Sequence, residues 1–170
     1  MHSGDFSEEN KKKLKTLEKK YKQCSINLID MKDMFKEGTK YNTRIPAPAY
    51  YWLILSDLLP NIDKIIYLDG DAITYIDIKE MYDLDMENYY YKGYRVWSRK
   101  FNHKFINNYI CSGVLLINLK ELRKNNITQQ YYKFIKEKGK KLIYHDESLE
   151  LLLNLVLEKV FIQSKKKYML

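Results

Sequence analysis

The chain has 170 residues, the size of one globular domain, and is long enough to bury a core of its own. Apolar residues make up 45% and aromatic residues 14%, with only 6 glycines and 3 prolines, which excludes a disordered, collagen-like or linker protein. Thirty lysines and arginines against 22 acids give a formal charge of +8, which in principle suits nucleic acid, anionic lipid or a phosphorylated substrate.

Along the chain, Ser7 followed by Glu8 and Glu9 reads as a helix start, a side-chain cap with anions at the positive end of the helix dipole. Leu14, Leu17 and Tyr21 recur at helical spacing, so the pattern predicts an amphipathic helix over residues 8–21. Residues 25–29 read as a short strand and 31–36 as a turn or brief helix. Pro46 and Pro48 hold the stretch from 39 to 48 irregular. From Ala49 to Leu59 an apolar, aromatic run predicts a buried helix stopped by Pro60. Residues 64–68 form an apolar run without alternation, as expected of a strand covered on both faces. After Asp69-Gly70-Asp71, residues 73–76 extend again, and Asp77 with Glu80 forms a capping box for a helix over 78–83. Tyr94 to Trp97 reads as a strand, and residues 113–118 as a second fully apolar one with a short helix after it. Thr128 caps a helix to about Lys138, Asp146 opens another to about Glu158, and Val160 to Ile162 reads as a last strand. Strands alternating with helices predict an α/β fold with a mostly parallel sheet flanked by helices.

The positive charge is less specific than its size suggests. Only Arg44, Arg95, Arg99 and Arg123 are arginine, the residue best suited to bidentate recognition of phosphates and bases. The lysines lie beside acids, as in residues 7–13, so the charge reads as a solvated surface and no nucleic-acid partner is expected. Cys24 and Cys111 form no CxxC or zinc-ligand spacing. No apolar run approaches the ~18 residues of a membrane span. The first fifteen residues contain no apolar signal-peptide core. The chain is therefore expected to be soluble and cytoplasmic.

Asp69-Gly70-Asp71 is the sharpest local signal. In extended backbone, residues two apart point to one side, so the two carboxylates can meet one cation, and the glycine leaves room for a ligand. Such hard oxygen ligands suit Mg²⁺ or Mn²⁺. The same tripeptide between apolar runs is also a hairpin-turn signal, and spacing alone supports both readings. His145-Asp146-Glu147 is a second polar cluster, read either as a site or as a helix cap. The tyrosines at 89–91 read as packing on the sheet rather than as a stacking platform.

Taken together and in order, several segments resemble the family 8 retaining glycosyltransferases, which include glycogenin and the bacterial lipopolysaccharide glucosyl- and galactosyltransferases. The resemblance is carried by residues 64–71, which end in Asp69-Gly70-Asp71, with Asp77 and Glu80 at the family's spacing. It continues in residues 112–119, with Arg123 beyond, and in His145-Asp146-Glu147. It implies a GT-A fold, Rossmann-like and built around a nucleotide-diphospho-sugar. It further implies a nucleotide-sugar donor, commonly UDP-glucose or UDP-galactose, a divalent metal, Mn²⁺ or Mg²⁺, and a glycan, lipid-linked or protein acceptor. By resemblance, Asp69 and Asp71 form the DxD motif that holds the metal, Gly70, Ser112 and Gly113 join them in contacting the donor, and Asp146 and Glu147 stand beside the anomeric centre. Trp52, Cys111 and Glu147 stand where the family usually carries arginine, asparagine and glutamine. These departures also admit a fold that binds sugar or a partner without catalysis. Against the family pattern, residues 1–170 correspond to a partial domain without the family's first strand or its later metal-ligand histidine.

Overall fold

A computed structural model describes residues 1–2, 6–31, 47–75, 77–95, 110–138 and 160–163. The first helix, α1 (Glu8–Lys20), begins where predicted, because the Ser7 hydroxyl accepts from the Asn10 amide at 3.2 Å. Glu8 and Glu9 lie in its first turn, and Lys19 and Lys20 in its last, both matched to the helix dipole. Its apolar stripe is less covered than predicted: Leu14 is half-buried, while Leu17 and Tyr21 are exposed. The Glu18 carboxylate instead ties the helix to the returning chain, accepting from the Ile26 amide and from Lys15. Those contacts hold its pKa below the usual carboxylate value, the Ile26 hydrogen bond most of all. The predicted strand at 25–29 makes no ladder among the described residues. It ends in a single parallel bridge between His2 and Asp30, with His2 donating to Ile29 and Met31 donating to His2.

The helix predicted over 49–59 forms in two parts. A 3₁₀ helix at Ala47–Ile54 runs into one α-helical turn, α2 (Leu55–Leu58). Residues from Tyr50 to Ser56 are all buried, so this segment is packed on every side. Strand β1 (Lys64–Leu68) falls where the apolar run placed it. The short helix α3 (Lys79–Tyr82) is capped by Asp77, whose carboxylate accepts from the Lys79 amide at 2.8 Å. Strand β2 (Tyr91–Arg95) starts inside the tyrosine run, earlier than predicted, because Tyr91 packs into the core. Strand β3 (Ile110–Asn118) leads directly into α4 (Leu119–Lys124), with the Asn118 side chain accepting from the Glu121 amide at 3.1 Å. Helix α5 (Ile127–Lys138) and strand β4 (Val160–Gln163) complete the described elements.

The strands lie in the order β1-β3-β2-β4. The α/β architecture is as expected, but strand direction corrects the expectation of a mostly parallel sheet. Both β1 and β2 run antiparallel to β3, and among the described strands only β2 and β4 pair in parallel. An apolar run without alternation reports that a strand is covered, not which way it points. β1 is also half-buried along its whole length rather than covered on both faces, because it lies at the edge of the described sheet.

Residues alternate between the two faces of the sheet. Ile65, Tyr67, Leu115, Ile117 and Tyr91 face the main core with Trp52, Leu53, Leu119, Leu122, Tyr131 and Ile135. Ile66, Val114 and Leu116 face a small cluster with Met81, Leu84 and Met86. In the main core the Tyr91 and Tyr131 hydroxyls are 2.8 Å apart, and burial pushes both phenols above the ordinary tyrosine pKa. Thr128, predicted as a helix cap, lies inside α5 instead. Its buried hydroxyl meets that of Ser56 at 2.8 Å, and the turn before α5 is made by Asn126 at φ 52°. The Arg123 guanidinium gathers the chain that leads into β1. It donates to the carbonyls of Leu59 at 3.0 Å and Ile62 at 2.9 Å, and to the Asp63 carboxylate at 3.2 Å.

Candidate active site

Strand β1 delivers Asp69 to the end of the sheet. The Asp69 amide donates to the Gly113 carbonyl at 2.9 Å, which extends the β1–β3 ladder by one residue beyond Leu68 and Val114. Asp69 therefore stands opposite Gly113, on the face that already carries Tyr67 and Leu115. Two segments far apart in sequence meet at this point only because β1 and β3 pair.

One neighbour holds the Asp69 carboxylate and another leaves room for it. The Tyr67 hydroxyl donates to its Oδ1 at 2.8 Å. Its Oδ2 lies where a side chain on Gly113 would be: a Cβ there would come within 2.8 Å. The Tyr67 phenol is kept neutral well above the ordinary tyrosine range, first by burial, then by its bond to Asp69 and the charge of that carboxylate. By sequence alone Tyr67 reads as one more residue of an apolar strand. The signal was available, since a tyrosine two positions before an aspartate in a strand shares its face.

Beyond Asp69 the chain turns. The Ala72 amide donates to the Asp69 carbonyl at 3.0 Å, so Gly70 and Asp71 occupy a turn rather than extended backbone. The same-side placement expected from an extended strand thus applies to Tyr67 and Asp69, and Asp71 is placed by the turn instead. The hairpin reading is corrected as well: a turn is present, but β1 pairs with β3 and not with the segment after the turn. Asp69, Gly70 and Asp71 are all exposed, and a Cβ on Gly70 would meet nothing within 4 Å.

The remaining candidates divide. Gly113 is in place against Asp69, and Ser112 lies on β3 beside it, its side chain outside the described residues. His145, Asp146 and Glu147 also lie outside the described residues. Trp52, at the position where the resemblance implies arginine, is buried with its ring edge-on to Tyr91 at 5.5 Å. It serves the core. Among the described residues, no three His, Cys, Asp or Glu side chains are grouped closely enough to hold a metal ion. By donor chemistry alone, the exposed Asp69 and Asp71 carboxylates are the ligand type that, one or two at a time, holds a hard divalent cation together with substrate phosphates, and a Cβ at Gly70 between them in sequence would meet nothing within 4 Å.

The sequence model of Glycosyl transferase family 8 matches residues 1–170. The chain belongs to this family. Among family relatives, General stress protein A of Bacillus subtilis (strain 168) is 28% identical over 153 residues, covering 85% of this chain and 53% of that protein. Lipopolysaccharide 1,2-glucosyltransferase of Escherichia coli is 27% identical over 115 residues, covering 61% of this chain and 34% of that protein. The crystal structure of the galactosyltransferase LgtC in complex with donor and acceptor sugar analogs superposes with a TM-score of 0.61 at 21% identity, over 74% of this chain and 49% of that one. The bifunctional glycosyltransferase WbbM gives a TM-score of 0.70 at 16% identity, over 92% of this chain and 31% of that one. These likenesses show the GT-A fold. The chain spans about half the length of the first curated relatives it matches, 53% of one and 46% of the next. Among the described residues no helix of this family 8 chain is long and apolar enough to cross a membrane.

Proposed function

We propose that this family 8 chain transfers a hexose from a nucleotide sugar, UDP-glucose or UDP-galactose, to a glycan, lipid-linked or protein acceptor with retained configuration. Asp69 and Asp71 hold Mn²⁺ or Mg²⁺ in this reading. The observation that carries it is the seating of the exposed Asp69 carboxylate against Gly113, which brings the acidic turn beside the Ser112-Gly113 segment of β3. When bound, the metal supplies Lewis acidity that stabilises the charge building on the diphosphate leaving group. The protein's own part is positional. Gly70 presents no side chain to an approaching diphosphate, and Ser112 and Gly113 line the donor side. Asp146 and Glu147 serve the anomeric centre and the acceptor.

A second reading keeps donor binding without transfer. It is favoured by Trp52, whose burial leaves the core filled by an indole where a donor-holding arginine is implied.

Calorimetric titration of UDP with and without Mn²⁺, on the wild type and on Asp69→Ala, tests the assignment. UDP affinity is expected to rise at least tenfold with Mn²⁺ and to lose that gain in Asp69→Ala, a change on the scale of a lost metal ligand. Metal-independent binding, or none, overturns it. Release of glucose or galactose from the UDP-sugar distinguishes transfer from binding alone.

A further inference from the structure

We propose that Tyr67 is a positioning residue that fixes the Asp69 carboxylate in one rotamer, with Gly113 leaving the space that this rotamer fills, and so sets its affinity for a divalent cation. The inference rests on the reading of Asp69 as a metal ligand and goes beyond it, because Tyr67 acts through Asp69 and needs no contact with metal or substrate.

Tyr67 restrains the carboxylate on one side, and Gly113 leaves room for it on the other. Tyr67 anchors its ring on the main core and reaches out to Oδ1 at 2.8 Å. The core thereby determines where that hydroxyl stands, and the hydroxyl determines the rotation of the carboxylate. On the other side, Oδ2 occupies space that any Cβ at residue 113 would enter, at 2.8 Å. A Cβ that close forces something to move. The ladder bond between the Asp69 amide and the Gly113 carbonyl, at 2.9 Å, pins both backbones, so the carboxylate is the part that yields. Gly70, in the same turn, differs: its Cβ position is open, so its glycine is not required by Asp69.

A carboxylate held in place does not spend rotational freedom when it takes a cation. Its hydrogen bond to a neutral phenol leaves its remaining lone pairs free to coordinate. Outer-shell partners of this kind typically alter metal affinity by about 10- to 100-fold. The bond from Tyr67 acts only through Asp69, which gives the proposal a sharp test.

The test measures free Mn²⁺ by electron paramagnetic resonance on the 170-residue chain, with thermal unfolding recorded alongside. Tyr67→Phe keeps the ring in the core, and its Mn²⁺ dissociation constant is expected to rise about tenfold with little change in Tm. Gly113→Ala is expected to weaken Mn²⁺ at least as much. In an Asp69→Ala background, Tyr67→Phe should produce no further change, because the residue it positions is gone. Equal Mn²⁺ affinity in the wild type and Tyr67→Phe overturns the positioning role while leaving Asp69 as a ligand. A Tyr67→Phe effect that persists without Asp69 overturns it too, by showing that the phenol acts directly. Equal affinity in the wild type and Asp69→Ala removes the metal site itself, and the positioning proposal falls with it.

Discussion

The two faces of the sheet are covered very differently. On one, Ile65, Tyr67, Leu115, Ile117 and Tyr91 meet the 3₁₀ helix, α4 and α5 in the main core. On the other, among the described residues, Ile66, Val114 and Leu116 meet Met81, Leu84 and Met86, from a single helical turn and the loop beyond it. Asp69 belongs to the first face. The carboxylate at the centre of the candidate site thus continues a strand face packed on the main core, and Asp71 hangs from a turn past its end. A site is held most accurately when its side chains grow from packed elements, and here one carboxylate does so and the other does not.

The contrast breaks most visibly at Leu115, fully buried across from Tyr67. Leu115→Ala is expected to destabilise the fold by about 3–5 kcal/mol, read by urea unfolding, because the surrounding helices cannot close the cavity. The same truncation on the thin face should cost less. Met81→Ala is expected to cost about 2 kcal/mol, at the low end for such changes, since a short helix at the rim can settle inward. Equal losses at the two positions would show that the faces contribute alike.

A finer probe stays inside the main core. Tyr91→Phe leaves the buried Tyr131 hydroxyl without its Tyr91 partner and is expected to cost about 1–2 kcal/mol, partly recovered when Tyr131→Phe is added. Both phenols have pKa values raised by burial, so the folded state favours their neutral forms. That contribution is complete below the ordinary tyrosine pKa of about 10 and is lost as pH rises beyond it. Removing both hydroxyls should flatten the alkaline limb of the stability profile.

Much of the local structure was legible. Ser7 with its following glutamates marks the start of α1, Asp77 marks that of α3, and the apolar run at 64–68 is β1 to the residue. These signals are local: a cap acts within one turn and an apolar run within one strand. Thr128 shows their limit. It has the chemistry of a cap, yet a buried partner, Ser56, makes a better use of its hydroxyl than the helix end does. Strand direction was illegible for a related reason, since apolar cover looks the same whichever way a strand runs.

For the candidate site, the sequence by itself determined the residue types: an acidic turn with a glycine inside it, and an apolar strand entered through Ser112-Gly113. It also carried the ordered motifs that mark a family 8 chain. Only the tertiary structure decided that Asp69 lies opposite Gly113, with its carboxylate in the space that the glycine leaves. That placement depends on antiparallel register between β1 and β3. That register is selected by which faces of two distant strands can be buried together, and no local preference encodes it.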